Sequence, residues 1–270
     1  MGRALAHARA TVARFSDATA LALLPADRRE EALRAIAEAP PRTLRERIGR
    51  RVLSRLARMM IARTIEIDDA VRSASPTVHS QLVILGAGLD GRAWRMPELR
   101  DTVVFEVDHP DTQREKRPRS ASLERLAREV RFVSVDFARD SLDAALAAAG
   151  HDAAAPTTWI WEGVVMYLTP DEIQATLAVV ARRSAPGSVL SVAYHTSAPY
   201  RFLVAIWVRR VGEPLRSKFT REEMRALLLR HGFSVCRDVS IAEIGASLSA
   251  DLGAALKRMQ HLRLATARKG

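Results

Sequence analysis

The chain has 270 residues, with 42 Lys or Arg against 31 Asp or Glu, for a formal net charge of +11. With 48% hydrophobic and 27% charged residues, and only 13 Gly and 12 Pro, the composition excludes a disordered or collagenous chain. One cysteine, Cys236, excludes an intrachain disulfide, and the apolar run Phe202 to Val208 is far shorter than the roughly 20 residues that cross a bilayer.

The N-terminal MGRALAHARATVARF is basic throughout and lacks the separated apolar core of a secretory leader, so none is expected. From Arg3 to about Ser73 apolar residues return every three or four positions, which predicts a helical lobe over residues 1–80 that Pro40-Pro41 divides. Ser73 to Ser80 is the predicted link. From Gln81 the pattern changes to short apolar runs, QLVIL, TVVFEV, RFVSV, TTWIW and GSVLSVAY, alternating with helix-forming stretches. That alternation predicts an α/β domain over 81–270, with a parallel sheet covered by helices on both faces.

Within this domain Thr169, Pro170 and Glu172 form a capping box that opens a helix, and Thr220 with Glu223 opens another that ends at His231-Gly232. Helices over about 196–231 are placed on the substrate side, and strand-like FSVCRDVSI follows. Trp159 and Trp161 are expected in the core, and Cys236 is expected to be a small buried apolar side chain.

The first strand runs into Gly86-Ala87-Gly88-Leu89-Asp90-Gly91, a G-x-G-x-x-G loop whose glycines let the backbone turn tightly and approach a ligand. The second strand ends in Asp108, 22 residues after Gly86, where doubly wound folds place an acid that accepts from ribose hydroxyls. The alternative for Asp108 is a helix N-cap ahead of Pro110. The third strand ends in Asp136-Phe137 and the fourth in Glu162-Gly163. Three acids around a glycine loop favour a cationic nucleoside, S-adenosylmethionine, over a pyrophosphate-bearing dinucleotide.

The positive excess lies in the flanks, +6 over 1–80 and +8 over 201–270, against −3 between them. Its arginines are interleaved with Ala, Leu and Glu, and aromatics make up only 5%, so solvated helix faces are expected and a nucleic-acid partner is not. The seven histidines form no H-E-x-x-H and the chain has no zinc-type spacing, so metal catalysis is not expected.

LVILGAGLDGRAWRM, FEVDHP, VDF, WEGVVMYLTPDE and the upstream IARTIEIDDAV together resemble the leucine carboxyl methyltransferase-like family of class I S-adenosylmethionine-dependent methyltransferases. The likeness is closest to its bacterial O-methyltransferase branch and runs from about Ile61 to Phe233. It implies a Rossmann-like, mostly parallel seven-stranded sheet with an N-terminal helical lobe. It also implies that Gly86, Gly88 and Asp90 belong to the donor loop, that Asp108 holds the ribose, and that Asp136 with Phe137 lies at the adenine. Glu162 would lie beneath the donor, and Arg63 would reach from the lobe to the donor's carboxylate. One departure is Gly91, where the family usually has Thr.

Methyl transfer from a sulfonium needs alignment and exclusion of water, and neither a metal nor a covalent intermediate. A carboxylate acceptor needs no base, whereas a hydroxyl does. Tyr167, Tyr194 and His195 fall where an acceptor should sit: Tyr167 as a wall, His195 as a base or a hydrogen-bonded lining group. Arg201 is a candidate partner for an acidic acceptor. A small-molecule acceptor of the kind found in secondary metabolism is expected, in a reducing cytoplasm. The alternatives are a protein C-terminal carboxylate as acceptor, an NAD-dependent oxidoreductase, and a binding module without catalysis.

Overall fold

The computed structural model describes residues 1–10, 12–37, 43–74, 80–137, 139–197 and 216–270. One sheet contains β1 (Gln81–Leu85), β2 (Val103–Asp108), β3 (Glu129–Ser134), β4 (Thr157–Trp161), β5 (Val189–His195), β6 (Phe233–Ser240) and β7 (Leu262–Lys269). The described α-helices are α1 (Gly2–Ala8), α2 (Thr19–Ala22), α3 (Ala26–Ala37), α4 (Leu44–Ala74), α5 (Arg92–Arg95), α6 (Pro110–Ser120), α7 (Leu142–Ala148), α8 (Pro170–Arg182), α9 (Arg221–Arg230), α10 (Ile241–Leu248) and α11 (Ala250–Leu256). The strand order is β3-β2-β1-β4-β5-β7-β6; β7 is antiparallel to both its neighbours and the other pairs are parallel.

The central strands read as continuous apolar runs because both faces of the sheet are covered. Side chains alternate between the faces with period two. Leu82, Ile84, Val104 and Ile160 belong to one core, and Val83, Leu85, Phe105, Val107, Trp159 and Trp161 to the other. On the first face Ile61 and Ile65, one turn apart on α4, and Val71 near its end join the core against the sheet, and Leu5 and Ala6 of α1 belong to the same cluster. The N-terminal helices therefore share a core with the sheet they cover. On the second face α7, α8 and α9 contribute Leu146, Leu177 and Leu228.

Local signals set the helix starts. Thr169 Oγ1 accepts from Glu172 N at 3.3 Å while Glu172 Oε2 accepts from Thr169 N at 2.7 Å, and Thr220 with Glu223 repeats the reciprocal pair. Beyond α9, Gly232 has φ +78°. Trp159 and Trp161 are buried as expected. Cys236 is not: its thiol is exposed, because β6 is an edge strand and its register against β7 shifts between Val235 and Arg237. Pro40-Pro41, Arg201 and the helical stretch through Trp207 lie outside the described residues, as do 75–79 of the predicted link. No described helix is long and apolar enough to cross a membrane.

Candidate functional site

β1 lies between β2 and β4, so chain order reverses at β1 and opens a crevice at the C-terminal ends of these strands, where ligands of open α/β sheets bind. Gly86 and Gly88 have φ values of +68° and +49°, a region that favours glycine. The N–H groups of Gly86 and Ala87 donate to Val107 O at 2.9 and 3.0 Å, fastening the loop to β2. A Cβ at Gly86 would stand 2.2 Å from Val164 Cγ2, so this loop and the segment after β4 are in close contact. At Gly88 the nearest atom to an added Cβ would be Gly86 O at 4.0 Å, leaving room for a ligand against the backbone.

Asp108, half-buried at the end of β2, accepts from Gly88 N and, at 2.7 Å, from His109 N. The N-cap of α6 is His109, whose ring accepts from Asp111 N. Asp108 thus faces the glycine loop and does not cap the helix.

Below the loop lies a buried charge cluster. Glu162, 9% exposed, accepts from Arg3 Nη2 with both oxygens at 3.1 Å, pairs with Arg63 Nε at 2.7 Å, and accepts from Arg92 Nη1 at 3.3 Å. Arg92 is fully buried and also binds Asp68 at 2.8 Å and Asp90. Asp90 accepts from Arg92 N at 2.8 Å as well, so it braces the loop from inside. Arg95 adds contacts to Asp68 at 2.7 Å and Asp17 at 3.8 Å. Four arginines thus face four carboxylates.

Burial alone would raise the Glu162 pKa, but Arg63, Arg3 and Arg92 hold its carboxyl well below the usual range. Burial lowers the Arg63 pKa against the opposing pull of Glu162. Arg3 Nη1 is buried without a hydrogen-bond partner among the described residues, 3.6 Å from Asp90 Oδ2, while Arg92 Nη2 also lacks one but is wholly enclosed. A guanidinium donor at Arg3 beside the ionised Glu162 suits a zwitterion, because a ligand carboxylate can take the former and its ammonium the latter. Together with the space at Gly88 and the acid at β2, these residues fit a nucleoside carrying an amino-acid group.

Asp136 follows β3, its N–H donating to Asp140 Oδ2 at 2.9 Å and its carboxylate 3.6 Å from Arg139. Phe137 lines a separate cavity of about 280 Å³ between α7 and α8, so the structure does not bring its ring to the glycine loop. Tyr167 and His195 do come together, in a mainly apolar cavity of about 580 Å³ that Arg63 and Gly163 also line. Tyr194 does not join them. Neighbouring strand residues point to opposite faces, and Tyr194 is fully buried with its hydroxyl donating to Asp238 at 2.8 Å.

Arg3, Arg92 and His261 were not legible as site residues. Arg3 lies in an Ala-rich N-terminal helix and Arg92 follows the glycine loop, and nothing in their spacing marks either as buried. His261 lines the same cavity as His195, with ring centroids 5.9 Å apart, through the pairing of β5 with β7. Burial, then the Arg55 charge, pushes its pKa down. Gly91 also acquires a reason: a Cβ there would stand 1.9 Å from Thr19 Oγ1, so a threonine hydroxyl from α2 fills the space beside it.

A family model described as leucine carboxyl methyltransferase matches residues 1–181. A protein of Mycolicibacterium vanbaalenii, named provisionally as an S-adenosyl-L-methionine-dependent methyltransferase, is 43% identical over 145 residues, covering 52% of this chain and 46% of that protein. A Streptomyces coelicolor protein with the same provisional assignment is 42% identical over 154 residues, 55% of this chain and 52% of that one. The chain spans about half the length of these curated relatives. Among solved structures, the magnesium protoporphyrin IX methyltransferase of Synechocystis PCC 6803 with bound SAH is 11% identical, with a TM-score of 0.50, covering 91% of this chain and 95% of that one. A SAM-dependent methyltransferase of Methanosarcina mazei is 13% identical, with a TM-score of 0.51, covering 74% and 96%. At these identities the likeness is one of fold.

Proposed function

The chain belongs to the leucine carboxyl methyltransferase family, and from that premise we propose that it transfers a methyl group from S-adenosyl-L-methionine to an oxygen of a small molecule. The observation that carries this is the pairing of Asp108 with the glycine loop above a buried Arg3–Arg63–Glu162 cluster, next to an apolar cavity. When bound, the donor supplies a methyl group on a sulfonium, and its S–C bond breaks as the acceptor oxygen forms the new O–C bond.

Everything else falls to the protein. Gly86 and Gly88 admit the donor against the backbone, and Asp108 accepts from its ribose hydroxyls. Arg63 and Arg3 receive its carboxylate, Glu162 attracts its ammonium, and Asp136 stands toward the adenine. Asp90 keeps the loop in place through Arg92. The apolar cavity aligns the acceptor and excludes water, which contributes roughly 7–11 kcal/mol in well-oriented systems. Tyr167 is a wall of this cavity. A carboxylate acceptor is ionised at neutral pH and needs no base, and we favour it; with a hydroxyl acceptor His195 takes the proton. That the sequence holds a single cysteine, with no partner for an intrachain disulfide, supports the reading of a reducing cytoplasm.

The test is transfer of label from methyl-labelled donor into a small-molecule extract, followed by mild alkali. Alkali-labile label released as methanol supports a carboxyl acceptor, and stable label a hydroxyl. Label that stays with protein would favour a protein carboxylate, and no transfer at all would contradict the proposal.

A further inference from the structure

The cavity that holds Tyr167 and His195 runs along α4. Val52, Arg55, Met59 and Arg63 all line it, and their spacing of three or four residues puts them on one face of the helix. Eight residues separate Arg55 from Arg63, which at 1.5 Å per residue is about 12 Å of helix. Arg63 marks the donor end, where its Nε lies 2.7 Å from Glu162 Oε1.

Between the two arginines the lining is mainly apolar, and four of the chain's seven methionines, Met59, Met60, Met166 and Met259, contribute to it. Unbranched, polarizable methionine side chains adapt to a bulky apolar body. Arg55 differs in character. Its Nε is buried without a hydrogen-bond partner among the described residues. After burial, its charge lowers the pKa of His261, which lines the same cavity. A guanidinium with an unused buried donor on an apolar cavity is a seat for an anion.

We propose that the acceptor is an elongated, mostly apolar molecule with an anionic group at the end of the cavity away from the donor, about 12 Å of helix beyond Arg63, and that Arg55 seats that anion. This rests on the methyl-transfer function and adds to it the far end of the acceptor site. Arg55 touches no reacting atom; it is a positioning residue that selects among acceptors.

Calorimetry on the whole chain saturated with S-adenosylhomocysteine tests this. The probes are decanedioate, decanoate, which lacks the second charge, and hexanedioate, which is too short to span the two ends. The decanedioate should bind at least about tenfold more tightly than either, as a charge-assisted pair requires. Arg55→Gln should abolish the preference for diacid over monoacid and Arg55→Lys should keep most of it, both with unchanged affinity for S-adenosylhomocysteine. Equal binding of diacid and monoacid, a preference that survives in Arg55→Gln, or no binding of the diacid would overturn the proposal. Failure of S-adenosylhomocysteine itself to bind would count against the donor site, and the same titrations without it would still decide on Arg55.

Discussion

Arg63 of α4 reaches Glu162 at the end of β4, Nε to Oε1 at 2.7 Å, with both side chains almost withdrawn from water. Two parts of the chain 99 residues apart are thereby joined where the donor is proposed to bind. Removing Arg63 leaves Glu162 with Arg3 and Arg92. Arg63→Met should therefore fold, while its affinity for S-adenosylhomocysteine falls by about 10- to 150-fold, the equivalent of one charged hydrogen bond. Glu162→Ala is the contrast. It takes a carboxylate from three arginines and leaves the buried Arg63 without the one it pairs with, while Arg92 keeps Asp68 and Asp90 and Arg3 keeps Asp90, and should lower the unfolding free energy by about 3–5 kcal/mol, measured by urea titration.

Gly91 and Thr19 form a second long-range relationship. Since an added Cβ would meet Thr19 Oγ1 at 1.9 Å, Gly91→Ala should cost about 1–3 kcal/mol through overpacking. Thr19→Gly in the same chain should recover most of that loss. A double-mutant cycle on unfolding free energies reads the coupling directly, and additive costs would show that the two sites are independent.

His151 gives the fold a pH dependence. Its ring is buried beside Phe105 and Trp159, with Nε2 3.1 Å from Thr157 Oγ1. Burial, then the Arg183 charge, pushes its pKa down to about 4. The unfolded chain therefore binds the extra proton between about pH 6.5 and 4, and the stability this ring contributes is present above that window and lost as pH falls through it. After allowance for solvent screening the loss is on the order of 2 kcal/mol. Urea titrations from pH 7.5 to 4 should show this decline in the wild type and a shallower one in His151→Gln.

Much of the fold was legible because it rests on local signals. The capping boxes at Thr169 and Thr220 and the two-faced strands follow from neighbouring residues alone. At the site, Gly86, Gly88, Asp108 and Glu162 were readable because each stands at a strand end. Arg3 and His261 were not, since their positions depend on α1 packing against α4 and on β7 inserting beside β5. Cys236 shows the same limit in reverse: an apolar-looking position is exposed because its strand is the last of the sheet, a fact of topology and not of composition.

His195 separates the two acceptor chemistries. With a carboxylate acceptor, His195→Ala should retain turnover, because the nucleophile is already ionised. With a hydroxyl acceptor the same change should lower turnover by about two to four orders of magnitude. Rates of both proteins from pH 6 to 9, with mild alkali treatment of the product, decide the matter. A methyl ester from an enzyme that tolerates the substitution is expected, and an alkali-stable product together with a collapse in the mutant would make His195 the base.

The central claim is the donor site, and titration calorimetry of the wild type and Asp108→Ala with S-adenosylhomocysteine and with NAD tests it most directly. The wild type should bind S-adenosylhomocysteine in the micromolar range or tighter and not NAD. Asp108→Ala should lose about 1.5–3 kcal/mol of that affinity while unfolding at a similar urea concentration. Binding of NAD in place of S-adenosylhomocysteine, or affinity unchanged by Asp108→Ala, would contradict the account.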